Sequence, residues 1–321
     1  MFGALKPFLF FLSGSASVLV LATLIGTGHP AFVALLCLVL LLAGLPHGAF
    51  DYHILSARYE GSAFACALVI YLGLTGMTVV LWWLLPLWFL SSFLAYSAFH
   101  FGDSDWPDQG ALRKWAWGLS IVGLPCLLAP RTVEPLFAVI AGITEVALLT
   151  KVTGLMSIPA TALCCLPDRV SDGNRWNPKP VLLLSYGGMC WVAGPLAAFG
   201  CYFACLHSPF HLTRWRRRIE GTSMGGIHAL SALVLVSVVG LVWWFPVAWD
   251  ADLGSSLDGS ALRYTFLALA ALTVPHMTLL FLAQRYPDLG STRPTPTAPS
   301  LSSGDGTPAP LSGSFGRYLF V

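Results

Sequence analysis

The chain has 321 residues, of which 56% are hydrophobic and only 10% are charged, and its formal net charge is +2. Soluble domains carry roughly 25% charged residues, so this composition excludes an ordinary soluble protein and predicts an integral membrane protein. A net charge this close to zero gives no indication of a nucleic-acid partner. The eight cysteines show no CxxC spacing, so neither a disulfide framework nor a zinc ribbon is indicated.

Apolar segments long enough to cross a bilayer as helices recur along the chain and predict about eight full spans. They occupy residues 7–27, 31–54, 62–85, 87–102, 115–130, 181–206, 226–248 and 261–284. Polar residues interrupt the stretch 134–166, which we interpret as a short hairpin or a pair of short crossings. The predicted fold is therefore all-α, a polytopic bundle of transmembrane helices.

Composition changes after the last apolar segment. Residues 288–321 are rich in Pro, Ser, Thr and Gly and cannot bury a core, so we expect a low-complexity, disordered C-terminal tail. Residues 1–287 are expected to form a single transmembrane domain. Four arginines follow the span 181–206 and are predicted to be cytoplasmic, an assignment that also places both termini on the cytoplasmic side.

Five histidines lie inside or at the ends of apolar segments, where an imidazole is costly unless it gains partners. They are His47, His100, His207, His211 and His276. In a chain with so few charges, one metal site between helices accounts for all of them. A set of imidazoles without carboxylate or thiolate suits iron(II), zinc or copper.

The local spacing of these histidines supports a shared site. His207 and His211 are spaced i, i+4, which places both on one helix face, and Pro209 between them is expected to distort the backbone. Asp51 follows His47 by one helical turn and is predicted to hold its imidazole N–H.

The direction of the spans can be tested against the same residues. His47, His100 and His207 all lie toward the C-terminal ends of their spans. These ends meet only if the three spans run in the same direction. The stretch 134–166 must then return to the side of the membrane from which it started, as a hairpin or a pair of crossings would.

Four motifs occur in order on these spans: PHGAFD at 46–51, FHFGDSD at 99–105, HSPFH at 207–211 and PHM at 275–277. Through them the chain resembles the Brp/Blh family of bacterial and archaeal membrane β-carotene 15,15′-dioxygenases, over roughly residues 30–285 of the sequence. The resemblance implies a multi-pass enzyme of the bacterial or archaeal plasma membrane. Such an enzyme cleaves β-carotene at its central double bond with O₂ and releases two molecules of retinal, by either a dioxetane or an epoxide-like route.

The resemblance also implies a cofactor and a site. The cofactor is a non-haem iron, Fe(2+), and residues 1–287 become the catalytic domain. The implied iron ligands are His47, His100, His207 and His211, with His276 as a fifth ligand or pocket residue and Asp51 orienting His47. We expect Tyr52 and Tyr96 to line the substrate pocket.

Other functions are also consistent with parts of the pattern. A polytopic metal-ion transporter could use the same histidines, because Pro46, Pro209 and Pro275 fit the broken helices of such proteins. A fatty-acyl desaturase needs more histidine clusters and two metals. A covalently bound retinal needs an intramembrane lysine, and all four lysines lie at loops or segment breaks, so none is expected. No protein partner is evident from the sequence.

Overall fold

The computed structural model of the chain describes residues 2–167, 177–216, 225–232, 236 and 257–285. Within these ranges the chain forms helices and short connections and no β-strand, in agreement with the predicted all-α fold. The helices are α1 (Phe2–Ile25), α2 (Pro30–Arg58), α3 (Gly61–Leu84), α4 (Pro86–Asp105), α5 (Ala111–Leu128), α6 (Pro130–Ala141), α7 (Ala147–Cys165), α8 (Lys179–Val192), α9 (Pro195–Tyr202), α10 (Ser208–Arg216) and α11 (Leu257–Arg285). The predicted tail at 288–321 and most of the predicted span at 226–248 lie outside the described ranges.

Five of the described helices are long and apolar enough to cross a membrane: α1, α2, α3, α7 and α11. The pair α5 and α6, bent by 112°, adds a sixth if it counts as one broken span. The sequence predicted more. Helix α4 does not qualify because it ends in the polar segment with His100, Asp103 and Asp105, and the segment predicted as one span at 181–206 is not a single helix.

The polar stretch 134–166 contains most of α6 and the whole of α7, an arrangement that both predicted alternatives, a hairpin and a pair of crossings, allow. Gly142, with a φ of 75°, ends α6 in the left-handed conformation that glycine adopts without strain. Helix α7 then begins at Ala147 and is 19 residues long, which is close to a full crossing.

Helix α4 lies unusually close to α5 because two glycines remove the side chains between them. A Cβ on Gly102 would collide with the carbonyl of Lys114, and a Cβ on Gly118 would collide with the carbonyl of Ala98. Helix α5 packs in turn on α7, while α11 packs on α2 and α3. These contacts bring the C-terminal end of α4 into the interior, between α5, α10 and α11.

The segment that carries two of the predicted histidines is broken twice. Gly194, with a φ of 89°, and Pro195 end α8 and start α9. Phe203–His207 then forms one turn of π-helix, in which the N–H of Ser208 donates to the carbonyl of Phe203 five residues back. Pro209 follows this turn. In a regular α-helix the proline ring clashes with the carbonyl four residues earlier, so the distortion predicted from this proline takes the form of a widened turn.

Candidate metal centre

Four histidines from three parts of the chain meet in the interior of the bundle. His100 comes from α4, His207 from the π-helical turn, His211 from α10 and His276 from α11. Each is at most 5% exposed. One ligand nitrogen from each of His100, His211 and His276 lies within 4.8 Å of the others, and Nε2 of His207 lies 3.2 Å from Nε2 of His100.

His207 is held by a buried carboxylate that accepts three hydrogen bonds. Oδ1 of Asp105 lies 2.9 Å from Nδ1 of His207. Oδ2 accepts from the indole N–H of Trp117 at 2.8 Å and from the hydroxyl of Tyr202 at 2.6 Å. A carboxylate on Nδ1 places the imidazole proton there and leaves Nε2 as the nitrogen directed toward His100.

Ser104 connects two further histidines. Its hydroxyl oxygen lies 3.1 Å from Nδ1 of His211 and 3.4 Å from Nδ1 of His100. A serine oxygen can accept two hydrogen bonds, so both imidazoles can carry their proton on Nδ1 and turn Nε2 toward a common point. These proton positions are inferred from the hydrogen-bond partners.

His276 has its own carboxylate. Oδ1 of Asp51 lies 2.6 Å from Nδ1 of His276, and Oδ2 accepts from the hydroxyl of Tyr71 at 2.8 Å. Asp51 is 1% exposed, so this pair lies as deep as the histidines. Since Nδ1 is engaged by Asp51, Nε2 of His276 is the nitrogen that would bind a metal.

Two of the remaining predicted residues, Tyr52 and Tyr96, lie less centrally. The side chain of His47 lies outside the described part of the structure; its backbone is on α2, one turn before Asp51, which contacts His276. Tyr52 is 45% exposed on the outer face of α2, packed edge-on against Phe64. Tyr96 lines a groove between α3, α4 and α11, and its hydroxyl donates to the carbonyl of Val274 at 3.4 Å.

Several residues that hold the histidines were missed by sequence reasoning. Ser104 and Asp105 carry a weak signal, because they follow His100 by four and five residues at the end of the same helix. Tyr71 and Tyr202 carry none, since they reach Asp51 and Asp105 only through the packing of separate helices.

The donor set fits a metal ion. Metal–imidazole bonds of roughly 2.0–2.1 Å place neighbouring nitrogens on one tetrahedral or octahedral ion roughly 2.8–3.4 Å apart. The 3.2 Å between Nε2 of His207 and Nε2 of His100 falls in this range, although it also suits a hydrogen bond between imidazoles. With Asp105, Ser104 and Asp51 engaging the Nδ1 atoms, the pattern is that of metal-binding histidines with hydrogen-bonded outer partners.

A small cavity of about 40 Å³ adjoins this cluster. His100 and His276 lie on its wall beside Phe101, Phe203 and the small residue Gly48. Most of its other lining residues are aromatic or aliphatic. A reactant in this cavity would therefore face imidazole on one side and hydrocarbon on the others.

The chain was compared with known proteins. A family model described as beta-carotene 15,15′-dioxygenase matches residues 38–282. The chain is also 28% identical, over 252 residues, to a beta-carotene 15,15′-dioxygenase of an uncultured marine bacterium, 66A03; the alignment covers 74% of this chain and 88% of that protein. No solved structure matches. The four histidine motifs at 46–51, 99–105, 207–211 and 275–277 all fall within the matched residues.

Proposed function

Because the chain belongs to the β-carotene 15,15′-dioxygenase family, we propose that its buried histidine cluster binds one iron(II) ion, at which O₂ cleaves β-carotene into two molecules of retinal. The family and the activity of a carotenoid-cleaving dioxygenase agree with what the sequence motifs predicted. The buried histidine triad supports a metal site in such an enzyme. The identity of the metal as iron and the full ligand set are the proposal.

The observation that carries the proposal is the convergence of His100, His207, His211 and His276 in one buried cluster. We assign His100, His207 and His211 as ligands, together with His47. The contact between His276 and Asp51 supports placing His276 in the same ligand set. The role of Asp51 is therefore to orient His276, in addition to or in place of the predicted role toward His47.

A shell of neutral imidazoles suits this chemistry. The carboxylates Asp51 and Asp105 contact histidines rather than the common point, so the ion keeps its positive charge. Bound iron(II) supplies open coordination positions and electrons for the activation of O₂. The overall reaction adds the two oxygen atoms of O₂ to β-carotene and gains or loses no proton, so it needs no net proton donor or acceptor.

The contribution of the chain is to hold and shield the reactants. Phe101 and Phe203 pack against His207, with ring centroids 4.8 Å and 5.4 Å from its imidazole. These rings exclude water from the cavity beside the histidines, which protects a reactive site from side reactions. The mostly apolar wall also suits a polyene, which has no hydrogen-bonding group.

The candidate membrane spans of the described residues fit a substrate that partitions into the bilayer. We propose a multi-pass protein of the bacterial or archaeal plasma membrane with about eight crossings, cytoplasmic termini and a catalytic domain at 1–287, because the sequence pattern predicts it. The family and the enclosure of the histidines both favour this enzyme over the metal transporter that the sequence alone left open.

The test combines metal analysis and product analysis. Purified protein should contain one iron per chain, and cells that accumulate β-carotene should become pale and yield retinal when they express it. His100→Ala should remove both the iron and the retinal. His228→Ala, on an exposed face of the helical segment 225–232, is the matched control and should change neither. Iron-loaded protein that leaves β-carotene intact would refute the proposed activity, and full iron content in His100→Ala would refute the proposed site.

A further inference from the structure

Three cavities meet at the side chain of Phe93 on α4. The first is the small cavity beside His100 and His276. The second is an apolar chamber of about 90 Å³ that extends from Phe101 toward Ile121 and Tyr186. The third is a groove of about 350 Å³ between α3, α4 and α11. Phe93 lines all three, so its position decides whether they communicate.

We propose that β-carotene passes from the bilayer through the groove between α3, α4 and α11, that Phe93 is the gate between this groove and the histidines, and that the apolar chamber receives the leading half of the molecule. The inference rests on the function proposed above and adds the path of the substrate and the residue that controls it.

The groove extends from the outer surface of the bundle to the wall of the histidine cavity. Met77, on its outer side, is 58% exposed and belongs to α3, a candidate span with only 6% of its residues buried. Thr273, on its inner side, lines both the groove and the histidine cavity. An apolar molecule in the bilayer therefore meets the groove directly, without crossing an aqueous surface.

The lining of the groove matches an unfunctionalised hydrocarbon. Its three threonine hydroxyls are engaged within their own helices: Thr78 donates to Leu74 at 2.9 Å, Thr273 to Leu269 at 2.6 Å and Thr278 to Val274 at 2.9 Å. The hydroxyl of Tyr96 donates across the groove to Val274 at 3.4 Å. These threonines consequently present their methyl groups to the groove. Position along such a path is set by shape, because β-carotene has no hydrogen-bonding group with which to be anchored.

Phe93 must move for a substrate to reach the histidines. One water molecule needs about 10–15 Å³ of cavity, so volumes of about 40 Å³ and 90 Å³ hold a few waters and not a polyene. The ring of Phe93 stacks on Phe89 at 6.1 Å and lies edge-on to Phe266 at 6.5 Å. Rotation of this one ring changes the wall of all three cavities.

The same arrangement accounts for cleavage at the centre of the molecule. The histidine cavity shares Phe93 and Thr273 with the groove, and Phe101, Phe199 and Phe266 with the chamber. A long substrate that occupies both has one half in each and its middle beside His100 and His276. The length of the chamber then limits how far the leading ring passes the histidines.

The experiment separates loading from cleavage. Iron-loaded protein is mixed without O₂ with vesicles that contain β-carotene, and transfer is followed by the change in carotenoid absorbance; O₂ is then admitted and the products are separated by chain length. Phe93→Trp should slow loading by at least about tenfold, which corresponds to about 1.4 kcal/mol on the barrier, and leave the iron content unchanged. Phe93→Ala should speed loading and add products cleaved away from the centre.

Two further variants guard against a fold defect. Thr78→Phe fills the groove from α3 without reaching the histidine cavity and should also slow loading. Phe10→Trp, at a 53% exposed position on α1, is the control and should load at the normal rate. Normal loading in both Phe93→Trp and Thr78→Phe would overturn the inferred route while leaving the proposed function intact. Wild-type protein that loads β-carotene but forms no retinal with O₂ would instead overturn the proposed function.

Discussion

Replacement of Asp105 by asparagine tests how the site holds His207. Asparagine keeps one acceptor oxygen, which can still serve Trp117 and Tyr202 at the position of Oδ2. Its amide group then faces Nδ1 of His207, where the carboxylate had been. Because an amide N–H needs an acceptor, it favours the imidazole with its proton on Nε2, and that nitrogen can no longer bind a metal.

The expected loss can be stated from comparable changes. Removal of an outer partner of a metal-binding histidine costs about 10–100-fold in metal affinity, or about 1.4–2.7 kcal/mol. Alanine is a poorer choice, because three buried donors would lose their acceptor at about 1–3 kcal/mol each. That sum approaches the total stability of a typical domain, about 5–15 kcal/mol, so the alanine variant is expected to unfold.

Iron affinity of Asp105→Asn, measured by competition with a coloured chelator, should therefore fall while thermal unfolding changes little. Asp103→Asn is the matched control. Asp103 lies two residues before Asp105 on the same helix, is partly exposed and pairs with Lys114 at 2.8 Å. An ion pair of this kind contributes about 0–1 kcal/mol to stability. Equal iron affinity in the two variants and the wild type would refute the role assigned to Asp105.

Two further substitutions test other parts of the framework. Gly102→Ala forces a Cβ against the carbonyl of Lys114 and should destabilise the protein by about 1–3 kcal/mol or more in thermal unfolding. The control, Gly73→Ala, has open space around its Cβ and should be neutral or stabilising. Equal effects of the two substitutions would contradict the close approach of α4 and α5. Tyr71→Phe removes one donor from Asp51 and should lower iron affinity by less than about tenfold, a result that a complete loss of bound iron would contradict.

The function could be predicted from the sequence more easily than the side-chain contacts could. Histidines in apolar segments require a reason, and a shared metal site accounts for all of them, so composition and spacing predict that buried histidines meet. The resemblance, not the spacing, implied which of them are ligands, and it left His276 as a fifth ligand or pocket residue. The partners of the carboxylates do not. Asp51 lies one turn from His47, yet it contacts His276, which is 225 residues away in the chain. Local periodicity reports which face a residue occupies, but not how far neighbouring helices slide along each other.

Lysine 179 shows the same limit from another side. Its place at a break between segments gave no indication of burial, but Lys179 is 1% exposed and its ammonium group lies 4.7 Å from the ring centre of Trp106. A cation over an indole ring is a favourable contact that depends entirely on tertiary packing. Gly194 and Pro195 also break the helix inside the apolar run 181–206. Because that run is continuously apolar, the sequence predicted a single span there.

The widened turn at Phe203–His207 sets the direction of the side chains after it relative to those before it, and residues on both sides contact the same carboxylate. Tyr202 and His207 both contact Asp105, although they are five residues apart. In an α-helix, with 100° per residue, such positions point roughly 140° away from each other. The bond from Ser208 to Phe203 widens this turn and brings the two side chains toward the same direction, so the two rings stack at 6.1 Å. A regular α-helix over the same residues would instead rotate every downstream ligand by roughly 100° relative to α9. The widening of this turn therefore determines whether His207 and His211 face the site.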